Sequence, residues 1–191
     1  MHFGIDYGSK LAGTTVITYA SDEKLYQLCS EKKQDADKMI LSAAVEHKPK
    51  AIYLDAPLSL PGAYYGKGTS FHYRVADKEL GAMSPMFLGG LTARAMSLAA
   101  QLRAKDIIVY ETYPGAFIRS HDKLQEVYSK KDKNCIPTCF AVLEPMFSQN
   151  LENKLSTLHQ LDSLVAWVSG QRHTHGNASI VGDAKEGLII Y

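Results

Sequence analysis

Four carboxylates stand at positions where a carboxylate is costly. Asp6 lies in FGIDYGSKLAGTTVI, a stretch that otherwise reads as a buried strand. Phe3, Ile5 and Tyr7 alternate with Gly4, Asp6 and Gly8, and alternate side chains of a strand point to opposite faces. One face is therefore large and apolar. The other is a carboxylate between two glycines, with room for a group to approach it. Asp55 closes KAIYLD, a nearly all-apolar strand of the kind found in parallel sheets. Glu111 closes DIIVYE in the same way. Asp162 falls within a helix predicted over 151–170, in a stripe of Leu151, Leu155, Leu158, Val165 and Ser169 that faces the core. An isolated ionised carboxylate there needs a partner or a metal ion. His159 lies one turn earlier, near enough to share a site.

Asp6, Asp55 and Asp162 supply hard oxygen ligands, which suit Mg²⁺ or Mn²⁺. Two such ions clamp the attacking and leaving oxygens of a phosphodiester. Without metal, one of the clustered carboxylates should hold its proton unusually tightly. Structural roles compete with this chemistry. An aspartate at a strand end also caps helices and forms turns. Glu111 could pair with Arg94, Arg103 or Arg119, and Asp162 with Arg74 or Arg172.

The elements that would position these groups follow from the pattern of apolar residues. Strands are predicted at 3–8, 11–19 and 24–29, the first two joined by a tight turn at Gly8-Ser9-Lys10. A helix follows over 35–48, then a strand at 51–54 ending at Asp55. Residues 57–90, rich in proline, glycine and tyrosine, read as a long ordered excursion with a short helix at 73–80. A helix at 92–104 leads to a strand at 106–111. Helical pieces occupy 119–150, with Lys130-Lys131-Asp132-Lys133 a charged break, and EGLIIY reads as a terminal strand. The expectation is one α/β domain over 1–191. Its mixed five-stranded sheet has a three-strand antiparallel meander, two parallel strands and flanking helices. Ligands of open α/β sheets sit outside the carboxyl ends of parallel strands, where Asp6 and Asp55 would converge.

Composition narrows the setting. The chain is 46% hydrophobic and 21% charged, with net charge +1, so a nucleic-acid ligand would need a local basic patch. No apolar run approaches the roughly 18 residues of a membrane span. No basic stretch followed by an apolar one opens the chain, and the three cysteines are odd in number and unpaired by spacing. A cytoplasmic protein with reduced thiols is the expectation.

GIDYG in the first strand, an acid ending the fourth and HQLDSLVAW in a late helix resemble the RNase H-like superfamily. Within it they are similar to the Holliday-junction-resolvase branch. That branch has an Asp in strand one, an acid at the end of strand four, and an acid or His three residues before an Asp in a late helix. Asp6, Asp55, His159 and Asp162 match those positions, although the branch usually has Glu where this chain has Asp55. Over most of the chain, DAPLSLP, YRVADKELG, YETYPGAF, LDSLVAWV and GDAKEGLIIY resemble a family of unknown function described as predicted nucleases with an RNase H fold. That pattern includes an Arg and an Asp three apart, here Arg74 and Asp77, and an acid–Tyr–Pro element, here Glu111 to Pro114. The resemblance implies a metal-dependent nuclease with catalytic Asp6, Asp55 and Asp162, assisted by Glu111 or His159, and nucleic acid as substrate.

Ser9 and Lys10 could meet a phosphate from the first turn, with Arg74 a further substrate contact; all three also serve as ordinary turn or pairing residues. GKG at 66–68 is too short for a phosphate loop. Tyr64, Tyr65, Phe71, His72 and Tyr73 interleave with Lys67 and Arg74; such a set either stacks bases and holds phosphates or packs on the core as a lid. Two other functions compete with the nuclease. One is a phosphate-binding protein of the actin and sugar-kinase type. It would need two copies of the fold, which one 191-residue chain supplies only as a homodimer. The other is a non-catalytic binding module of the same fold, which an unused acidic cluster would destabilise.

Overall fold

Phe3 and Ile5 are buried on one side of strand β1 (His2–Asp6), and Gly4 is buried on the other. In the computed structural model, which describes residues 1–191, β1 lies at the middle of a mixed sheet flanked by helices. Strand β2 (Val16–Ser21) pairs antiparallel to it, and β3 (Lys24–Cys29) antiparallel to β2. On the other side β4 (Ala51–Asp55) and β5 (Ile108–Thr112) run parallel to β1. The sheet has eight strands rather than the five expected. A two-residue strand, β6 (Asn150–Leu151), pairs with β3, and a hairpin of β7 (Ile180–Asp183) and β8 (Gly187–Ile190) extends the far edge. The order is β6-β3-β2-β1-β4-β5-β8-β7.

One face carries α1 (Ala36–His47), capped by Asp35, and α4 (Gly90–Arg103). Phe3, Ile5, Ile17, Ile52 and Leu54 pack there against Ile40, Leu98 and Leu102. Between β4 and α4 the excursion contains α2 (Val75–Leu80) and α3 (Pro85–Leu88). The other face carries α8 (Leu158–Thr174), with α5 (Pro114–Arg119), α6 (Asp122–Val127) and α7 (Ile136–Leu143) packed outside it.

Helix α8 comes closest to the sheet where side chains are smallest. A Cβ on Gly4 would lie 2.1 Å from the Trp167 backbone nitrogen, and one on Gly170 would lie 2.4 Å from the Tyr53 ring. Polar contacts then fix the helix along the strands. Thr18 Oγ1 and Ser163 Oγ are 2.7 Å apart, and Gln27 Nε2 donates to the Gln160 carbonyl at 2.8 Å. His2 Nε2 lies 2.9 Å from the Trp167 carbonyl, and the Tyr53 hydroxyl 2.8 Å from His173 Nδ1. The room beside Asp6 is thus filled two residues back, at Gly4, by the helix that carries Asp162.

Two element starts differ from the sequence reading by five residues or more. Strand β2 begins at Val16, not residue 11, because the preceding loop bonds to the segment before α1: Lys33 and Ala36 amides donate to the Leu11 and Lys10 carbonyls. Helix α8 begins at Leu158, not residue 151. Thr157 caps it through the Gln160 amide, and Leu151 is drawn into the sheet beside Leu25. Leu151 and Leu155 therefore stand outside the helix, and the helical stripe is real only from Leu158 onward.

Candidate active site

In the β1–β4 register Asp6 lies beside Asp55. Both side chains take the α8 face, since Asp6 follows Gly4 and Asp55 follows Tyr53 by two residues. The first turn and a half of α8 reaches the same strand ends. His159 Nδ1 is 2.7 Å from Asp6 Oδ2, so the histidine pairs with Asp6 from three residues before Asp162. Asp162 Oδ1 accepts from the Tyr128 hydroxyl at 3.0 Å, and neither Arg74 nor Arg172 pairs with it.

The electrostatics are those of uncompensated acids. Burial raises the Asp55 pKa well above the usual carboxylate range, and the charges of Asp6 and Asp162 raise it further. Burial pushes Asp162 up to about 7, Asp6 adding to the rise and the Tyr128 hydrogen bond and Lys130 opposing it. Asp6 is also raised by burial, against the His159 hydrogen bond. The hydrogen bond that His159 makes to the Asp6 carboxylate raises the histidine in return. Lys130 opposes the rise at all three aspartates and makes no ion pair of its own.

Asp6, Asp55 and Lys130 line a cavity of about 250 Å³ at the carboxyl ends of the strands, with Met83 and Leu88 of the excursion and Leu91 of α4 on its wall. Glu111, Arg74 and Asp77 also border it. Glu111, however, points to the opposite sheet face from Asp55, the face of Val109 and Leu54, and is committed elsewhere. Its Oε1 and Oε2 accept from Arg74 Nη2 and Nη1 at 2.6 and 2.7 Å, and Oε2 also accepts from the Leu58 amide at 2.8 Å. Arg74 was expected to hold substrate, and its geometry excludes that. It is 1% exposed, and its five N–H groups are used on Asp77, Glu111 and Ser59. It is also the partner of Glu111 in place of Arg94, Arg103 or Arg119. Lys10 reaches Asp35 at 3.1 Å, at the cap of α1, and Ser9 is exposed in the loop; neither lines the cavity.

Two residues were missed by the sequence reading. Lys130 falls in the charged break of the sequence, and Tyr128 precedes it in a segment with no periodic pattern. Nothing in their spacing points to the aspartates; the turn after α6 carries them there.

The donor chemistry fits a hard divalent cation: three carboxylates whose burial and mutual repulsion a positive charge would relieve. No three His, Cys, Asp or Glu side chains stand as a preassembled ligand group. No helix is long and apolar enough to cross a membrane. No family model, curated protein or solved structure matches the chain.

Proposed function

We propose that the protein is a metal-dependent phosphodiesterase acting on nucleic acid, with an RNase H-like architecture. The observation that carries this reading is the Asp6–Asp55–Asp162 cluster at the carboxyl edge of parallel strands. All three acids are raised, and Asp55 is raised by the other two. A fold does not maintain such repulsion for its own stability. The meander of β1 to β3 followed by parallel β4 and β5 supports the architecture.

Asp55, Asp6 and Asp162 would hold Mg²⁺ or Mn²⁺. The bound ion supplies Lewis-acid activation of a phosphoryl oxygen and a water of lowered pKa. His159 holds the Asp6 carboxylate in place and carries a titratable nitrogen at the mouth of the site. Tyr128 orients Asp162. Lys130 offers an unpaired cation to a phosphate entering the cavity. The Arg74–Asp77–Glu111 group positions the excursion rather than the reacting atoms.

The test is thermal unfolding with and without Mn²⁺, with cleavage of labelled single- and double-stranded oligonucleotides, on wild type and Asp55→Asn. A ligand at 100 times its Kd adds about 2.7 kcal/mol, which is roughly 5–10 °C for a chain of this size. Wild type should show that rise and cleave; Asp55→Asn should do neither. Equal behaviour of the two proteins would end the reading. A second reading, a binding module of the same fold, is favoured by the absence of a preassembled ligand group. It predicts oligonucleotide binding with no Mn²⁺ effect.

A further inference from the structure

The excursion between β4 and α4 is held rigidly and yet leaves its aromatic side chains in water. Its underside is fixed by buried Arg74 and by Glu186, which accepts from the amides of Gly62 and Val75 at 2.7 and 2.9 Å. Its outer side presents Phe87 at 65% exposure and Phe71 at 56%, with Tyr64, Tyr65 and Met83 also exposed. These rings do not form a lid over the core. They stand in edge-to-face or tilted pairs: Tyr73 with Phe87 at 5.9 Å, His72 with Phe87 at 6.0 Å and Tyr64 with Phe71 at 5.5 Å.

Three observations identify what this surface meets. It is continuous with the carboxylate site: Met83 and Leu88, on either side of Phe87 in sequence, line the cavity that holds Asp6 and Asp55. The cavity is small. At about 250 Å³ it lies below the roughly 300–1,000 Å³ of pockets that enclose whole small ligands. It accommodates a phosphate and its immediate neighbours, and the rest of a substrate must cross the rim. That rim also carries more exposed cations than exposed acids. From Ala56 to Leu91, Lys67 and Lys78 are exposed and make no ion pair; of the two acids, Asp77 is buried against Arg74 and Glu79 is exposed. That balance, with Lys130 at the cavity, suits a polyanion.

We propose that the excursion is a stacking platform for unpaired bases, centred on Phe87, which makes single-stranded nucleic acid the substrate class. The inference rests on the phosphodiesterase reading for the role of the cavity, but the platform is testable without catalysis. In a duplex the base faces are already stacked and cannot reach Phe87. A single strand offers a face to each exposed ring while its phosphate lies at Lys130 and the aspartates. Stacking is sequence-tolerant because every base has a π-face.

The experiment is fluorescence anisotropy of a labelled mixed-sequence strand, as DNA and as RNA, against its duplex, with Ca²⁺ present to screen the carboxylates. The proteins are wild type, Phe87→Ala and Phe87→Trp. Phe87 is exposed, so neither change disturbs the core, and an unchanged Mn²⁺-dependent melting shift checks that the site is intact. The platform predicts tighter binding of the single strand than of the duplex. It predicts a loss of roughly 5- to 100-fold in Phe87→Ala, the effect of one lost base–aromatic stack, and retention in Phe87→Trp. Equal binding of strand and duplex, or no loss in Phe87→Ala, overturns it. Self-association of wild type that Phe87→Ala abolishes, without strand binding, overturns it in favour of a protein interface. The two readings fail separately. Strand binding lost in Phe87→Ala, with no Mn²⁺ effect or cleavage in wild type, leaves the platform and removes the enzyme. Cleavage lost in Asp55→Asn but unchanged affinity in Phe87→Ala does the reverse.

Discussion

Replacing Asp162 by Asn should make the metal-free protein more stable at high pH and change nothing at low pH. Burial first, and the charge of Asp6 second, raise Asp162 from 3.8 to about 7. Below pH 3.8 the side chain is neutral in the folded and the unfolded chain alike and costs nothing. Between 3.8 and about 7 the unfolded chain releases the proton that the native state retains, so stability falls as pH rises. Above about 7 both states are ionised and the cost is complete. At about 1.4 kcal/mol per pH unit, its ceiling is about 4 kcal/mol. Asp162 keeps some contact with water, which lowers the cost to about 1–3 kcal/mol. Asparagine is neutral throughout, and its side-chain oxygen can still accept from Tyr128. In EDTA at pH 8, Asp162→Asn should therefore unfold roughly 3–10 °C above wild type, and at pH 4 the two should coincide. The assay is circular dichroism melting at intervals of one pH unit from 4 to 8. Adding Mn²⁺ at pH 8 should stabilise wild type and not the variant. A variant less stable than wild type at pH 8, or one that keeps the wild-type pH dependence, would show that the carboxylate is a structural partner whose charge the fold uses.

Arg74→Ala strands Asp77 and Glu111 without their cation, and breaking a buried pair in this way costs about 3–5 kcal/mol; urea unfolding should show it, with Arg74→Lys recovering only part because a lysine cannot reproduce the fork. An Arg74→Ala protein as stable as wild type would mean the network does not anchor the excursion. Gly4→Ala forces α8 away from β1, since the new Cβ would lie 2.1 Å from the Trp167 nitrogen. That variant should lose several kcal/mol in melting and, where still folded, the Mn²⁺ shift as well, because Asp162 moves with the helix.

The parts of the site that were legible in the sequence are those set by local periodicity. Alternation about Asp6 revealed a small-residue face, and the apolar run before Asp55 revealed a parallel strand; the register then brings both acids together. His159 was found because a spacing of three on a helix puts it near Asp162, although its hydrogen bond goes to Asp6. What remained illegible depends on long-range pairing. Leucines at 151, 155 and 158 continue the helical spacing, yet Leu151 belongs to the sheet, and only its ladder to Leu25 reveals this. Glu111 lies in a strand apolar on both faces, so alternation cannot say which face it takes. Arg74 carries the charge of a substrate residue, and its burial is decided by the fold of the excursion. Lys130 and Tyr128 sit on a turn whose position depends on α5 to α7.

The same physics links the unreadable residues to the readable ones. A cluster of acids needs some cationic relief to fold at all, and Lys130 provides it from an exposed turn without an ion pair. Arg74 could not fill that role, because Glu111, Asp77 and Ser59 already take every N–H it has. The chain therefore uses its two kinds of cation differently. The guanidinium, with its fixed fork, is buried to hold the excursion against the strand ends, and the ammonium is left free at the mouth of the cavity. Exchanging them would give a buried lysine that cannot satisfy two carboxylates and a surface arginine with no fork to match. The division follows from charge and shape alone, and it places the single unpaired cation lining the cavity where a phosphate would meet the aspartates.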